Sequence, residues 1–374
     1  MVAPKLRVGI IGIGWYALSQ HVPNLRATGR AEVVAISRRN AEALAAAKDA
    51  LAVENAYTDW RALLERSELD AVVVSTAHHA HAEPTLAALE RGLHVLVEKP
   101  MALSSRDAWA MTEAAQRADR VLMVGYTMRC EGLWRTAKRL LDEGAIGRIR
   151  QLSLTYCDDY RWMWESDRIP PGMQKALKSS GMPDAFLGDG RLEGNWRRNP
   201  HEMGGGQFVD AGAHMVDLAL WLAGAPAGSV VAMTERAGLP VDCFVTAQAR
   251  LLNGAMVSLN VAAGVAGASP RFLTAIGDRG VLGAEWDWRQ REVWLERDGR
   301  RETVESRVPD TTPAAAFVAA VMDGAENPAP AEDGAHAVAF SEAAYRSDEE
   351  RRIVDLAVPG MSGAAHRPAV ASPA

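Results

Sequence analysis

Asp210, His214 and Asp217 stand four and three residues apart in the stretch GGGQFVDAGAHMVDLALWL, residues 204–222. On a helix that spacing places two carboxylates and an imidazole on one stripe. The rest of the segment is apolar, and burying unpaired charge is costly, so the stripe either faces solvent or lines a polar site. A plainer reading is that Asp210 caps the helix and His214 is a satisfied interior histidine. Three aligned ionisable groups behind a glycine run point instead to acid–base chemistry, because titratable groups cluster at functional sites.

A second candidate is Glu98-Lys99-Pro100, directly after the apolar run Val95-Leu-Val97. A lysine at a strand end can polarise a hydroxyl or carbonyl oxygen, and proline restricts the backbone that aims it. A strand-end lysine is also commonly just solvated. His78, His79 and His81 lie close together, but no cysteine or carboxylate cluster joins them. They fall at a strand-to-helix junction where polar residues are expected, so no metal site is predicted.

These residues need a scaffold. Residues 5–11 form an apolar strand that breaks into Gly12-Ile-Gly14-Trp15-Tyr16-Ala17, the G-x-G-x-x-A form of a dinucleotide fingerprint. Gly12 permits the tight turn, Gly14 lets the backbone approach a pyrophosphate, and Ala17 allows close helix packing. A second strand, 32–36, ends in Ser37-Arg38-Arg39-Asn40. An NAD site usually carries an acidic residue there, whereas Ser37 and two arginines suit a 2′-phosphate. The expectation is NADP ahead of NAD, against the alternative of a solvated turn in which Asn40 caps a helix. Strands at 69–75, 94–98 and 121–126 alternate with helices at 80–91 and 105–117, which implies a doubly wound parallel sheet. Ligands bind beyond the carboxyl ends of such strands. The cofactor candidates are therefore Gly12, Gly14, Trp15, Tyr16, Ser37, Arg38, Arg39, Thr76, His81, Glu98 and Lys99.

From about residue 148 the chain changes character. A strand at 149–156 precedes a long irregular stretch, 157–203, that carries Asp158, Asp159, Trp162, Phe186, Trp196 and Arg197. Long patternless loops are often lids or binding loops, and tryptophans there can stack on a sugar ring. The same aromatics would equally pin the loop to the sheet or build a subunit contact. Strands at 229–234, 243–251, 255–261, 271–276 and 292–296 predict an open, mostly antiparallel sheet, with Asn253-Gly254 as a hairpin turn. Helices follow at 313–322 and 334–354. The resulting organisation is a dinucleotide-binding domain at 1–126, an α+β domain at 127–355 and a flexible tail at 356–374.

Bulk properties agree. A chain of 374 residues exceeds one comfortable core, and its 48% apolar and 24% charged content is that of a soluble globular protein. A net charge of −6 argues against nucleic-acid binding. No apolar run is long enough to span a bilayer, and no export signal is visible. Cys130, Cys157 and Cys243 are odd in number without metal spacing, which fits free thiols in the cytoplasm.

The N-terminal glycine fingerprint, Glu98-Lys99-Pro100 and Asp210-x-Gly212-x-His214-x-x-Asp217, in this order, resemble the glucose–fructose oxidoreductase / inositol dehydrogenase / MocA-like (Gfo/Idh/MocA) family. Tyr57-Thr-Asp-Trp60, residues 141–149 and residues 335–347 sit where that family has similar text. The resemblance implies an NAD(P)-dependent enzyme that moves a hydride between nicotinamide and a secondary alcohol or ketone of a sugar or polyol. It implies that Lys99 contacts the reacting oxygen, that His214 is the general acid–base, and that Asp210 orients His214. Arg129 matches a family arginine near the substrate. Tyr156, Trp162, Trp196 and Arg197 complete the substrate candidates. Homo-oligomerisation, as a dimer or tetramer through the open sheet, is implied too. One departure is Thr76-Ala77-His78, where the family has a Thr-Pro-Asn-like turn. Two other functions fit the same scaffold: a sugar-sensing regulator without turnover, and an epimerase, hydrolase or transferring oxidoreductase that retains its cofactor.

Overall fold

Strands β1 (Leu6–Ile11), β2 (Ala31–Ser37), β3 (Asn55–Tyr57), β4 (Ala71–Val74), β5 (His94–Val97) and β6 (Leu122–Val124) make one sheet in the order β3-β2-β1-β4-β5-β6. The computed structural model describes residues 4–158, 160–166, 168–179, 195–264, 270–286 and 291–357. Every pairing in this sheet is parallel. Parallel strands covered on both faces read as unbroken apolar runs, and all four residues of β4, Ala-Val-Val-Val, are fully buried. The strand order reverses between β1 and β4, so the crevice at their carboxyl ends is where a ligand belongs. The expected doubly wound sheet is present, with helices at Ala41–Leu51, Trp60–Arg66, Ala82–Glu90 and Ser105–Ala118 between its strands.

A second sheet of nine strands follows. Its strands are β7 (Ile149–Asp158), β8 (Ala227–Glu235), β9 (Phe244–Leu251), β10 (Met256–Ala263), β11 (Arg271–Gly277), β12 (Val281–Trp286), β13 (Arg291–Arg297), β14 (Arg300–Val304) and β15 (Val354–Asp355). They are ordered β14-β13-β12-β11-β7-β10-β9-β8-β15. β7 and β10 pair in parallel and the remaining neighbours are antiparallel. Strand β10 buries Val257, Leu259, Val261 and Ala263 in strict alternation, the pattern of a sheet with one covered face. Asn253-Gly254 makes the predicted turn between β9 and β10, with Gly254 at φ +87°. Strands β3, β12, β14 and β15 are not among the strands the sequence predicts. Three of them are short, and β12 opens on Val281-Leu282-Gly283-Ala284, which alternation does not mark.

The stretch expected to be irregular holds short helices at Trp162–Glu165, Pro171–Ser179 and Pro200–Met203 and a 3₁₀ turn at Trp196–Arg198. Phe186, Asp159 and residues 358–374 lie outside the described residues. The two sheets are tied by the end of the chain. Val124 N–H donates to Ala329 O at 2.9 Å, and the helix Ala331–Glu350 then lays Gly334 against Met101 and Val124.

Candidate active site

The site helix spans Ala211–Ala223, and Asp210 occupies its N-cap position without using its side chain as a cap. The carboxylate turns instead to Lys99, which leaves the end of β5 in a loop whose Lys99–Pro100 peptide is cis. Lys99 Nζ donates to Asp210 Oδ1 at 2.5 Å and to Asp210 backbone O at 3.1 Å. Arg197 Nε approaches the other oxygen, Oδ2, at 3.4 Å. Burial alone would raise the Asp210 carboxyl, but the charges of Lys99 and Arg197 prevail and hold it well below the usual carboxylate range.

His214 lies one turn further on. Its Nδ1 is buried without a hydrogen-bond partner, and the ring packs edge-on against Tyr126 at a centroid distance of 6.0 Å. Burial, then the Lys99 ammonium, push its pKa down to about 3. The imidazole is therefore neutral at physiological pH, not poised near 7. Asp210 was expected to orient His214, but both of its carboxylate oxygens are directed to Lys99 and Arg197. Asp210 therefore aims the ammonium rather than the imidazole.

Asp217 does not join the site. Its carboxylate receives Arg129 Nε at 2.9 Å and Nη2 at 2.6 Å, with both side chains 1–2% exposed. Arg129 Nη1 also donates to Asp333 Oδ2 at 2.6 Å and to Pro328 O at 2.9 Å. The structure thus places Arg129, a substrate candidate on resemblance, inside a buried ion cluster.

On the nucleotide side, Gly12 has φ +87°, and its N–H donates to Ser37 O at 3.0 Å. A Cβ there would stand 2.7 Å from Ser75 O, so only glycine fits this turn. A Cβ on Gly14 would meet nothing nearer than 3.8 Å, which leaves its backbone open to a diphosphate. Arg38 Nη1 donates to Ile13 O at 2.9 Å, folding over the glycine loop. Ser37 is buried and Arg39 exposed, while Asn40 caps the next helix by accepting from Ala43 N at 2.8 Å. Trp15 is 41% exposed, and the Tyr16 ring stands edge-on to His21. Thr76 Oγ1 donates to Ala80 O at 2.8 Å, and the buried His81 ring lies between Pro100 O at 2.8 Å and Thr76 O at 3.1 Å. His81 thereby braces the backbone on both sides of the crevice.

Sequence reasoning missed three contributors. The helix after the fingerprint opens as a π-turn, Ala17–His21, which brings His21 Nε2 within 2.8 Å of Glu98 Oε1. Glu98 Oε2 accepts from Lys99 N at 3.2 Å, so His21 braces the lysine loop from below. No spacing signal announces a π-turn, although such turns recur at functional sites. His78, set aside with its histidine neighbours, bonds through Nδ1 to Met203 O at 3.0 Å and packs edge-on against Trp196 at 4.6 Å. Trp196 in turn carries the Arg197 guanidinium 4.3 Å from its ring centroid. Third, Gln207 Nε2 donates to the buried Asp158 at 2.8 Å, fastening the glycine loop to the end of β7. Tyr156, two residues before Asp158, is buried beneath Arg271 at 4.6 Å, and Trp162 is half-buried in its short helix. Among the described residues, no group of three or more His, Cys, Asp or Glu is placed to hold a metal ion.

Residues 6–126 match the family model described as "Oxidoreductase family, NAD-binding Rossmann fold", and residues 134–283 match the GFO/IDH/MocA C-terminal domain. The chain belongs to the Gfo/Idh/MocA oxidoreductase family. It is 31% identical over 189 residues to levoglucosan dehydrogenase of Pseudarthrobacter phenanthrenivorans, covering 50% of this chain and 42% of that protein. It is likewise 31% identical over 248 residues to dTDP-3,4-didehydro-2,6-dideoxy-alpha-D-glucose 3-reductase of Streptomyces antibioticus, covering 66% of each. The matches to the first two curated relatives span about half of their length or less, at 42% and 50%. A solved levoglucosan dehydrogenase complex with NADH and L-sorbose superposes with a TM-score of 0.78 at 24% identity, covering 96% of this chain and all of that one. At that identity the likeness establishes the fold.

Proposed function

We propose that this chain is an NAD(P)-dependent dehydrogenase or reductase acting on a secondary alcohol or ketone of a sugar or polyol. One observation carries the reading: Lys99, Asp210 and His214, drawn from a strand end and a helix start 111 residues apart, meet beside the crevice of an NAD-binding Rossmann sheet. Gly12, Gly14, Ser37, Arg38 and Thr76 would hold the dinucleotide. When bound, the nicotinamide accepts or delivers the hydride. Lys99 presents an ammonium with three N–H donors, of which Asp210 takes two, and the third remains for the substrate oxygen. Neutral His214 takes the hydroxyl proton during oxidation and returns it during reduction. Asp210 aims Lys99.

Arg38 and Arg39, with no acidic residue at the end of β2, support NADP as the preferred cofactor. A Michaelis constant lower for NAD than for NADP overturns that preference. Turnover itself is tested with a panel of sugars and polyols, followed by the absorbance of reduced nicotinamide. No absorbance change with any member, in either direction, sinks the reading.

The enzyme works as a homo-oligomer through the outer face of the second sheet. Met233, Thr246, Asn260, Thr155 and Phe272 align in one cross-strand row of that face. Arg250, Met256, Gln151 and Ile276 align in another. Met233, Met256, Phe272 and Ile276 are 42–69% exposed there, an apolar patch of the kind that marks association. A cytoplasmic site of action fits three buried cysteines that form no disulfide among the described residues.

A further inference from the structure

We infer that the substrate is a monosaccharide acid and that Arg197 selects it by binding its carboxylate. This rests on the oxidoreductase reading above and adds the substrate's charge. The Arg197 side chain is 21% exposed, yet among the described residues its one ionic contact is the long Nε approach to Asp210 at 3.4 Å. Among the described residues, Nη1 and Nη2 have no partner. A guanidinium is always charged, and a mostly buried one with an open fork is half of a bidentate carboxylate pair.

The balance of charge at this corner agrees. Among the described residues Asp210 is the one carboxylate in contact with both Lys99 and Arg197, and Lys99 holds its Oδ1 at 2.5 Å. Glu98 is engaged by His21 at 2.8 Å and by the Lys99 backbone N–H at 3.2 Å. The arginine is also pre-organised. Its plane rests on the Trp196 ring at 4.3 Å, and His78 meets that ring edge-on. Stacking of this kind holds the fork still, so little entropy is lost when an anion docks.

Position narrows the class. Lys99 and Arg197 grip opposite oxygens of the same carboxylate, so the anion pocket and the reacting carbon lie about one sugar ring apart. That span fits a hexuronate, whose carboxylate and secondary hydroxyls share one ring.

The experiment compares D-glucuronate with D-glucose and D-galacturonate with D-galactose, pairs that differ only in the carboxylate. Initial rates are measured with wild type and Arg197→Gln, with NAD and with NADP. Wild type should favour the acids in kcat/KM by roughly 10- to 100-fold, the discrimination of a charge-assisted pair, and Arg197→Gln should bring that ratio close to one. A wild-type ratio near one, or equal losses on acid and neutral sugar in the variant, overturns the inference. Calorimetric binding of the same four sugars to the cofactor-loaded protein keeps the two claims apart. Uronate-selective binding that Arg197→Gln abolishes supports the carboxylate site even without turnover, and binding that ignores the carboxylate removes it.

Discussion

Two ion pairs seven residues apart on one helix were built from the same chemistry and came to different ends. Lys99 and Asp210 are 16% and 15% exposed and share two bonds from Nζ, to the carboxylate and to the backbone carbonyl, with one donor left over. Arg129 and Asp217 are 2% and 1% exposed and interlock through two parallel bonds, with Asp333 filling a further position. A pair sealed to 1–2% exposure is out of a ligand's reach and holds elements together. A pair at the rim of a crevice, with an unsatisfied donor and a neutral imidazole one turn away, can act on one. Residue type and helical spacing do not separate the two; burial does, at 1–2% exposed against 15–16%.

The comparison is broken most severely by substitutions at the rim. His214→Ala should lower kcat by about 10²–10⁴-fold, as expected for loss of a general acid–base. Lys99→Met should cost about 10²–10³-fold through lost stabilisation of the developing charge. Both should leave the melting temperature less changed than Asp217→Ala does. Full turnover in either variant removes the assigned roles.

Next in size is the sealed pair. Asp217→Ala leaves the buried Arg129 guanidinium with Asp333 as its remaining carboxylate among the described residues and should cost up to about 3–5 kcal/mol of stability. Denaturant titration measures that cost. The fraction still folded should retain its kcat, and a large kcat loss with unchanged stability would place Asp217 in the chemistry after all.

At neutral pH the smallest effect is one of pH, because it develops only as the solution is acidified. With the His214 pKa at about 3 in the folded chain and about 6.5 unfolded, the unfolded state binds a proton that the folded state refuses. The associated stability is fully present above pH 6.5 and is lost as pH falls toward 3, with a slope of at most about 1.4 kcal/mol per pH unit. His214→Asn should flatten the acid limb by one proton's worth. An unchanged slope would show that His214 is more solvated than its packing implies. His78 and His81, also buried and depressed by desolvation, contribute equally to both proteins.

Much of this was legible beforehand. The parallel sheet announces itself because each β-α unit is local, and β4 and β5 are apolar from end to end. Gly12 is readable because a positive φ and a backbone wall leave no other choice. The alternation of β9 and β10 marks a sheet with one covered face. Arg129 was misplaced because a guanidinium suits a buried carboxylate as well as a ligand, and its partner lies 88 residues away. His21 was invisible because its reach depends on a π-turn that shifts the helix phase.

The sequence by itself determined which groups are candidates for the site: the glycine turn, the lysine after β5, and the Asp and His one turn apart. These are local patterns, set by backbone periodicity and by what each side chain can donate or accept. Only the tertiary structure decided which way each group faces and what charge it carries. It put Asp210 on Lys99 instead of His214, made His214 neutral, sealed Asp217 away and laid Arg197 open beside the lysine. Those outcomes depend on desolvation and on partners distant in the chain, and neither is encoded in the spacing along one helix.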